Sequence, residues 1–281
     1  MLTETQIAAY RESGVLLVPG FLSDAELAEF RSLIESISAG NTRARYDADR
    51  VEMEPDQAPD GTRVRRIYEP CTHYPRFRSF SESEKLLGGV SALLGPDVAF
   101  HYSKINMKPP AIGSVVEWHQ DLAYYPLTNR DSLAVLFYLD DADIRNGCLQ
   151  VIPGRHLQPA MDHTRGGFFQ GRITETVDES KAVPLEGKAG TAIFMHGMTP
   201  HASAPNSSSL PRRTLILSYR AADAFPIYLG EMTVGSEVYP RHVRGTQASV
   251  ARLTAGTFPI PRYPEKTKSL YELQELSRKG S

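Results

Sequence analysis

The stretch EWHQDLAYY, residues 117–125, contains the residue types of a metal site. It places His119 and Asp121 one residue apart, and such residues point to the same side of a β-strand because strand side chains alternate. A histidine and a carboxylate on one face are either two ligands of a metal ion or an exposed ion pair. A metal site would need a further ligand from elsewhere in the chain.

Two histidines in FMHGMTPHAS, His196 and His201, are candidates for that further ligand. Two neutral imidazoles and one carboxylate on one face of an octahedral ion form the facial triad of non-haem Fe(II) oxygenases. The triad leaves three positions open, enough for a chelating 2-oxo acid and for dioxygen. The distal carboxylate of the 2-oxo acid needs a cation of fixed geometry, and the guanidinium of Arg212 or Arg213 has that geometry.

The elements around these residues predict a β-rich fold supported by helices. Thr3–Gln6 and Ser23–Glu26 have the spacing of capping boxes, so a helix should begin at each, with the strand VLLVPGF between them. Further helices are predicted at about residues 81–94 and near the C-terminus. Short apolar runs separated by turns follow residue 96, namely VAFHYSKINMK, SLAVLFYL, GCLQVIPG, GTAIFMH and RTLILSYR. This order predicts an antiparallel sandwich or barrel with helices on one side.

Composition limits the partners and the compartment. The 281 residues include 31 basic and 33 acidic side chains, a net charge of -2, so we expect no nucleic-acid partner and no membrane partner. Two cysteines cannot form a four-cysteine zinc site and are predicted to be reduced thiols. With no secretory signal and no apolar run of about 18 residues, we predict a cytoplasmic monomer or homodimer.

The chain resembles the phytanoyl-CoA dioxygenase family of Fe(II)/2-oxoglutarate-dependent oxygenases in motifs that occur in the same order: INMKPP, WHQDLAYYP, NGCLQVIPGRH, GTAIFMHGMTPHAS and RRT. The resemblance covers most of the chain. It implies a mainly β fold with flanking helices, a double-stranded β-helix of the jelly-roll, cupin-like kind. It also implies one dioxygenase domain over residues 1–281, with helical support to about 95, a β-helix core at about 96–222 and an extension at 223–281.

The resemblance also implies roles for single residues. His119, Asp121 and His201 match the family's iron ligands. Arg212, Ser203 and Asn106 match its 2-oxoglutarate site, so Fe(II), 2-oxoglutarate and O2 are the implied cofactors. We interpret His196 and Trp118 as side chains that support the ligands from behind. The predicted substrate contacts, which are equally explained as core side chains where they are aromatic, are Tyr102, Lys104, Tyr124, Tyr125, Phe137, Phe168 and Phe169.

The implied reaction is hydroxylation of an unactivated C–H bond in a small organic substrate, with release of succinate and CO2. The substrate would be an acyl-CoA, an amino acid or a secondary metabolite. Desaturation, cyclisation or endoperoxidation on the same iron are alternatives, and so is a non-catalytic binding protein. Retention of Asp121 disfavours halogenation, because halogenating relatives replace the carboxylate with a small residue. The spacing of Ser203 and Arg212 disfavours a zinc hydrolase, which has no use for a 2-oxo acid.

Two long polar segments, residues 41–66 and 155–178, lack an apolar period and are predicted to be loops. Loops of this length in a compact domain are usually functional or disordered. Because an oxygenase must admit its substrate and then exclude water, we expect one or both segments to cover the mouth of the pocket.

Overall fold

A computed structural model describes residues 2–111, 114–227, 241–263 and 270–279. The helices are α1 (Glu4–Ser13), α2 (Asp24–Ser38), α3 (Pro70–His73), α4 (Pro75–Ser81), α5 (Glu84–Leu94) and α6 (Leu270–Lys279). The strands are β1 (Val15–Val18), β2 (Val51–Met53), β3 (Val64–Tyr68), β4 (Val98–Lys108), β5 (Val116–His119), β6 (Ser132–Tyr138), β7 (Leu149–Val151), β8 (Thr164–Arg165), β9 (Phe168–Phe169), β10 (Val183–Leu185), β11 (Ala192–His196), β12 (His201–Ser203), β13 (Arg212–Ala221) and β14 (Arg241–Arg244).

Local signals begin the first two helices where the sequence predicts them. The Thr3 hydroxyl accepts the backbone N–H of Gln6, and the Gln6 side chain accepts the N–H of Thr3. Ser23 and Glu26 form the same reciprocal pair at the start of α2. Both capping boxes are therefore confirmed, and β1 lies between the two helices as predicted.

Two antiparallel sheets form the framework. The larger has the strand order β1-β11-β6-β13-β4-β3-β2, with β14 also paired to β4. The smaller has the order β10-β7-β12-β5, and β8 and β9 form a separate hairpin. None of the described helices combines the length and apolarity needed to cross a bilayer.

The larger sheet is buried on both faces. Its outer face packs on the helices, where the rings of Phe30 and Phe80 lie 5.0 Å apart and Phe80 meets Phe137 of β6. Its inner face meets the smaller sheet, with Leu136 of β6 clustered with Val151 of β7. Every residue of β6 is buried, as its continuous apolar run predicts.

The segment 41–66 is not the loop that the sequence predicts. It contains β2 and the start of β3, and β3 extends the larger sheet by pairing Arg66 with Asn106 of β4. These strands were missed because VEM and VRRIY are short and rich in charged residues, without a clear apolar alternation. The segment predicted as helical support therefore also contributes β1, β2 and β3 to the sheet, while the single-domain organisation stays a prediction.

Candidate metal centre

Three buried side chains bring metal-ligand atoms together. One ligand atom from each of His119, Asp121 and His201 lies within 4.8 Å of the other two. Oδ1 of Asp121 is 3.8 Å from Nε2 of His119 and 3.7 Å from Nε2 of His201. Two imidazoles and one carboxylate aimed at a common point match the donor set of a non-haem Fe(II) facial triad.

Strand pairing holds the two histidines side by side. His119 ends β5 and lies directly opposite His201, the first residue of β12, and their ring centroids are 4.0 Å apart. Asp121 lies beyond the strand, in a short 3₁₀ helix over Asp121–Ala123. The convergence of His119 and Asp121 therefore comes from a turn rather than from the strand alternation on which the sequence argument relied.

The backbone fixes which nitrogen of each imidazole is available. Nδ1 of His119 lies 2.8 Å from the Glu117 carbonyl, and Nδ1 of His201 lies 3.0 Å from the Thr199 carbonyl. A carbonyl only accepts, so each Nδ1 carries the proton and each Nε2 keeps its lone pair. Burial lowers the pKa of both histidines, and the neighbouring His201 lowers the pKa of His119 further. Both rings are thus neutral, which is the form that binds metal.

Gln120 stabilises the turn between His119 and Asp121 through hydrogen bonds of its side chain and backbone. Its amide donates to the Met198 carbonyl at 2.6 Å and accepts the Met161 N–H at 2.8 Å. Its own backbone N–H donates to Nε2 of His163 at 3.1 Å, and burial lowers the pKa of His163 to about 4, which keeps that nitrogen an acceptor. Nothing in the polar sequence around His163 indicates this contact in advance.

The triad opens into a pocket between the two sheets. The pocket encloses about 590 Å³, including space open to solvent. Its polar lining outside the triad consists of Lys104, Asn106, Lys108, Tyr138, Ser203, Arg212, Thr214 and Tyr271. Asn106, Ser203 and Arg212, the residues predicted for 2-oxoglutarate, therefore share one pocket with the three candidate ligands.

Arg212 and Arg213 point to opposite faces of β13. Arg212 is buried in the pocket, where it donates to Thr214 Oγ1 at 2.9 Å and to the Gly147 carbonyl at 2.7 Å. Its Nε–H has no hydrogen-bond partner among the described residues. Arg213 instead pairs with Asp140 on the outer face, at 2.8 Å. Arg212 is therefore the arginine of this pair that faces the pocket, and its Nε–H is a buried donor that lacks an acceptor among the described residues.

Gly147 takes part in holding Arg212, because its carbonyl accepts a hydrogen bond from the guanidinium. Its φ is +74°, and a Cβ at this position would lie 2.3 Å from the Ala204 carbonyl oxygen. Only glycine allows this approach, which brings the Gly147 carbonyl against the guanidinium.

Three of the predicted substrate residues, all tyrosines, lie near the candidate ligands but do not line the pocket. Tyr102 and Tyr125 are buried with their rings 5.7 Å apart, and Tyr124 lies 5.6 Å from the His119 ring. The Tyr124 hydroxyl donates to the Gly171 carbonyl. Lys104 lines the pocket itself, and burial lowers its pKa to about 8.

Other predicted residues lie away from the pocket. Phe137 faces the helices, because it alternates with the pocket residues Leu136 and Tyr138 on β6. Phe168 is exposed beside Arg262, and Phe169 packs on Tyr124 and Tyr263 without lining the pocket. The predicted pocket position of these three phenylalanines is corrected accordingly.

The two side chains predicted to support the ligands from behind are also corrected. Trp118 alternates with His119 on β5, so its ring points outward and its Nε1 donates to Glu179 at 3.2 Å. His196 lies on the helix-facing side of β11, with its ring 5.1 Å from His156. Neither side chain touches a candidate ligand.

Several pocket residues were missed by the sequence analysis. Tyr271 comes from α6 and stacks on Arg66 of β3, whose guanidinium carbon is 4.8 Å from the ring centroid. Lys108 is fully buried and donates to the carbonyls of Ser114 and Ala204, at 2.6 Å each. Motif order carries no information on such contacts, although the alternation Lys104, Asn106, Lys108 along β4 would have indicated Lys108.

Comparisons with known proteins agree with this geometry. The profile of the family described as Phytanoyl-CoA dioxygenase (PhyH) matches residues 10–214. A Stutzerimonas stutzeri protein named "Probable alpha-ketoglutarate-dependent hypophosphite dioxygenase" is 33% identical over 250 residues, covering 83% of this chain and 87% of the relative. The methylphosphonate hydroxylase of Gimesia maris is 30% identical over 220 residues, covering 78% and 81%.

A solved structure has the same fold. The crystal structure of EctD from S. alaskensis with bound Fe superposes with a TM-score of 0.66 at 23% identity, covering 91% of this chain and 88% of that chain. The predicted fold class, a double-stranded β-helix with flanking helices, is thereby confirmed.

Proposed function

Because this chain belongs to the phytanoyl-CoA dioxygenase family, we propose that His119, Asp121 and His201 bind Fe(II) and that Arg212, Ser203 and Asn106 hold 2-oxoglutarate. The chain is an Fe(II)- and 2-oxoglutarate-dependent dioxygenase that uses O2. The observation that carries the residue assignment is the presence of the triad and the guanidinium of Arg212 in one pocket.

The residues fit both groups. The triad offers two neutral imidazole nitrogens and one carboxylate oxygen, the donor set that suits iron with open positions. Arg212 offers a buried Nε–H without an acceptor among the described residues, which the distal carboxylate of 2-oxoglutarate would accept. Bound iron, 2-oxoglutarate and O2 supply the oxidising chemistry, with succinate and CO2 as products.

The protein's own contribution is orientation and exclusion of water. Thr214 and Gly147 each accept one hydrogen bond from Arg212, so the guanidinium is fixed before the cosubstrate arrives. Tyr138 donates to the Leu185 carbonyl at 2.8 Å and accepts the Leu149 N–H at 3.0 Å, which joins the two sheets behind the pocket. Leu136 and Ile216 complete an apolar wall that keeps water from the reacting C–H bond.

We further propose that the substrate is a small molecule hydroxylated at an unactivated C–H bond. A relative named for methylphosphonate hydroxylation supports including short phosphonates, which carry C–H bonds, among the candidate substrates. A cytoplasmic location is proposed with it, supported by two buried cysteines that form no disulfide. A monomeric or homodimeric state is proposed as well. Light scattering after size exclusion tests the oligomeric state.

The test of the proposed function is a coupled assay under controlled oxygen. Purified protein is loaded anaerobically with Fe(II) and 2-oxoglutarate, exposed to O2, and succinate is measured with short phosphonates, amino acids and acyl-CoA esters as substrates. We expect one substrate to raise succinate formation, with equal amounts of oxidised product and succinate. Protein without metal is the control. A protein that forms no succinate with any class, although it binds Fe(II) and 2-oxoglutarate, would contradict catalysis and favour a binding role.

A further inference from the structure

The pocket contains a lysine that has no anionic partner in direct contact. Lys104 is a pocket-lining residue of β4 and is partly open to the pocket interior. Within the described residues its ammonium forms no hydrogen bond or ion pair, and it lies 5.2 Å from the centroid of the Tyr102 ring. A lysine held in this way is free to bind a ligand.

A second cation lies beside it. Arg66 of β3 is 5% exposed, and its Nε donates to Asn106 Oδ1 at 3.0 Å. Its Nη2 is buried without a hydrogen-bond partner among the described residues. The nearby carboxylate of Glu52 is bonded instead to Arg65 and to the Tyr68 hydroxyl. Arg66 therefore has a donor left over on the pocket side of the sheet.

Sheet register separates these two cations from Arg212. Arg212 pairs with Lys108, whereas Arg66 pairs with Asn106, and Lys104 lies a further two residues along β4. At roughly 3.4 Å per residue, Lys104 is about 13 Å along the strand from the level of Arg212, and Arg66 is about 7 Å away. The pocket lining thus has Arg212 and Lys108 at the end where 2-oxoglutarate would reach, and Lys104 toward the other end. Arg66 is not part of the lining itself, but it donates to the lining residue Asn106.

The balance of positive and negative charges around the pocket indicates what kind of ligand Arg66 and Lys104 bind. In the proposed complex, Fe(II) offsets Asp121 and the metal-bound carboxylate of 2-oxoglutarate, and Arg212 offsets the distal carboxylate. Lys108 lies close to the buried Glu54. Counting only the residues that the structure describes, the positive charges of Arg66 and Lys104 then remain unmatched, and buried unmatched charges are costly.

Resting on the proposed function, we propose that Arg66 and Lys104 bind an oxyanion on the substrate that is oxidised. The substrate is then a short phosphonate or carboxylate, with its anionic group on these two cations. Leu136, Ile216 and Met195 line the same pocket and leave an apolar space for a short carbon chain. A neutral substrate of the same size would leave both cations unmatched.

Binding measurements test this without turnover. Protein loaded with Mn(II) and 2-oxoglutarate is titrated by calorimetry with methyl-, ethyl- and propylphosphonate, with acetate, propionate and butyrate, and with ethanol and propanol. We expect an anion series to bind and the alcohols not to bind. Lys104→Met and Arg66→Gln should each weaken anion binding about 10- to 100-fold, the size of a lost charge-assisted hydrogen bond.

Three controls make the result specific. Lys188→Met removes a lysine that pairs with Asp141 on the surface, and it should leave anion binding unchanged. Lys104→Arg keeps the charge and should therefore bind the anions more tightly than Lys104→Met, which separates loss of charge from loss of fold. The affinity for 2-oxoglutarate should change less than threefold in Lys104→Met. An equal loss of 2-oxoglutarate affinity would instead assign Lys104 to the cosubstrate and overturn the proposal.

Turnover separates this inference from the proposed function. If wild type forms succinate with an alcohol as efficiently as with every phosphonate and carboxylate, the enzyme is an oxygenase and the anion site is wrong. If anions bind but no succinate forms with any of them, the anion site stands and catalysis is contradicted. Comparison of the phosphonate and carboxylate series then tells which oxyanion is preferred.

Discussion

The two faces of the larger sheet are both buried, yet they differ in chemistry. The helix-facing side is filled by aromatic and aliphatic side chains such as Phe77, Phe100 and Phe194. The pocket-facing side carries Lys104, Lys108 and Arg212, together with hydroxyl groups. An apolar core contributes stability wherever its volume is filled. Buried cations contribute only when partners or ligands match them, so the second face is built for binding.

A single strand shows how closely the two faces are interleaved. Along β13, Arg212, Thr214 and Ile216 line the pocket, whereas Leu215 and Leu217 belong to the core under the helices. A shift of register by one residue would exchange the two sets. Substitutions at neighbouring positions should therefore have different consequences, activity on one face and stability on the other.

The largest effect is expected from the loss of a candidate metal ligand. His201→Ala removes one of the three donor atoms, so iron occupancy and succinate formation should fall by more than about 100-fold, beyond the cost of losing a supporting contact. Bound iron, succinate and the melting temperature of the metal-free protein are the measurements.

The matched control is His196→Ala. His196 lies five residues before His201, on the helix-facing side of β11, where its ring is near His156. It should keep iron stoichiometry and turnover. Iron loss in His196→Ala together with retention in His201→Ala would reverse the assignment of the ligand.

A large effect on stability is expected from the opposite face. Phe194 is fully buried against the helices, 6.0 Å from the Phe21 ring, so Phe194→Ala should lower the free energy of unfolding by about 3–5 kcal/mol. Urea denaturation measures the change. Phe194→Leu should lose less and keep the wild-type KM for 2-oxoglutarate. A changed KM in the folded Phe194→Leu protein would mean that the two faces are not independent.

An intermediate effect is expected at the adjacent arginines. Arg212→Lys keeps the charge but loses the planar fork, so the KM for 2-oxoglutarate should rise about 10- to 100-fold, equivalent to one or two charge-assisted hydrogen bonds. Arg213→Lys alters only the outer ion pair with Asp140, and its KM should stay within about threefold of wild type. A larger rise in Arg213→Lys would show that the cosubstrate binds elsewhere.

The sequence predicted the elements whose signals are local. Capping boxes indicated α1 and α2, and continuous apolar runs indicated β6 and β11. The strands β2 and β3 were not predicted because their charged side chains hide the alternation of apolar and polar residues that indicates a strand. Arg66 was therefore assigned to a polar loop. Tertiary pairing makes these segments strands, and a single sequence carries no direct signal of such pairing.

The candidate site was predictable as far as its motifs reach. The order of His-x-Asp, His-x-Ser and arginine identified His119, His201 and Arg212, which the structure brings into one pocket. Phe137 was wrongly predicted to line the pocket. Every residue of β6 is buried, so its sequence does not show which side chains face the pocket and which face the helices. Tyr271 was missed because it lies in α6, more than 50 residues beyond the last motif, and reaches the pocket only through folding.

The smallest expected effect, when counted per pH unit, concerns a histidine between the two faces of the larger sheet. His101 is the extra residue of a bulge in β4, since Ser218 pairs with Tyr102 and Tyr219 pairs with Phe100. Its ring is 4.5 Å from the Tyr125 ring, and both ring nitrogens lack a hydrogen-bond partner among the described residues. Burial, with a smaller contribution from Arg220, lowers the pKa of His101 to about 3.

This histidine should make the fold sensitive to acid. Between about pH 6.5 and pH 3, His101 is protonated in the unfolded chain but not in the folded chain. The free energy of unfolding therefore decreases by about 1.4 kcal/mol for each pH unit that the pH is lowered in this range. His163 and His196, with pKa values lowered by burial to about 4 and about 3, add to the same slope. His101→Phe should reduce the slope by about one proton. Urea unfolding of metal-free protein at pH 7.5, 6.5, 5.5 and 4.5 measures it, and equal slopes in both proteins would mean that His101 is protonated in the fold.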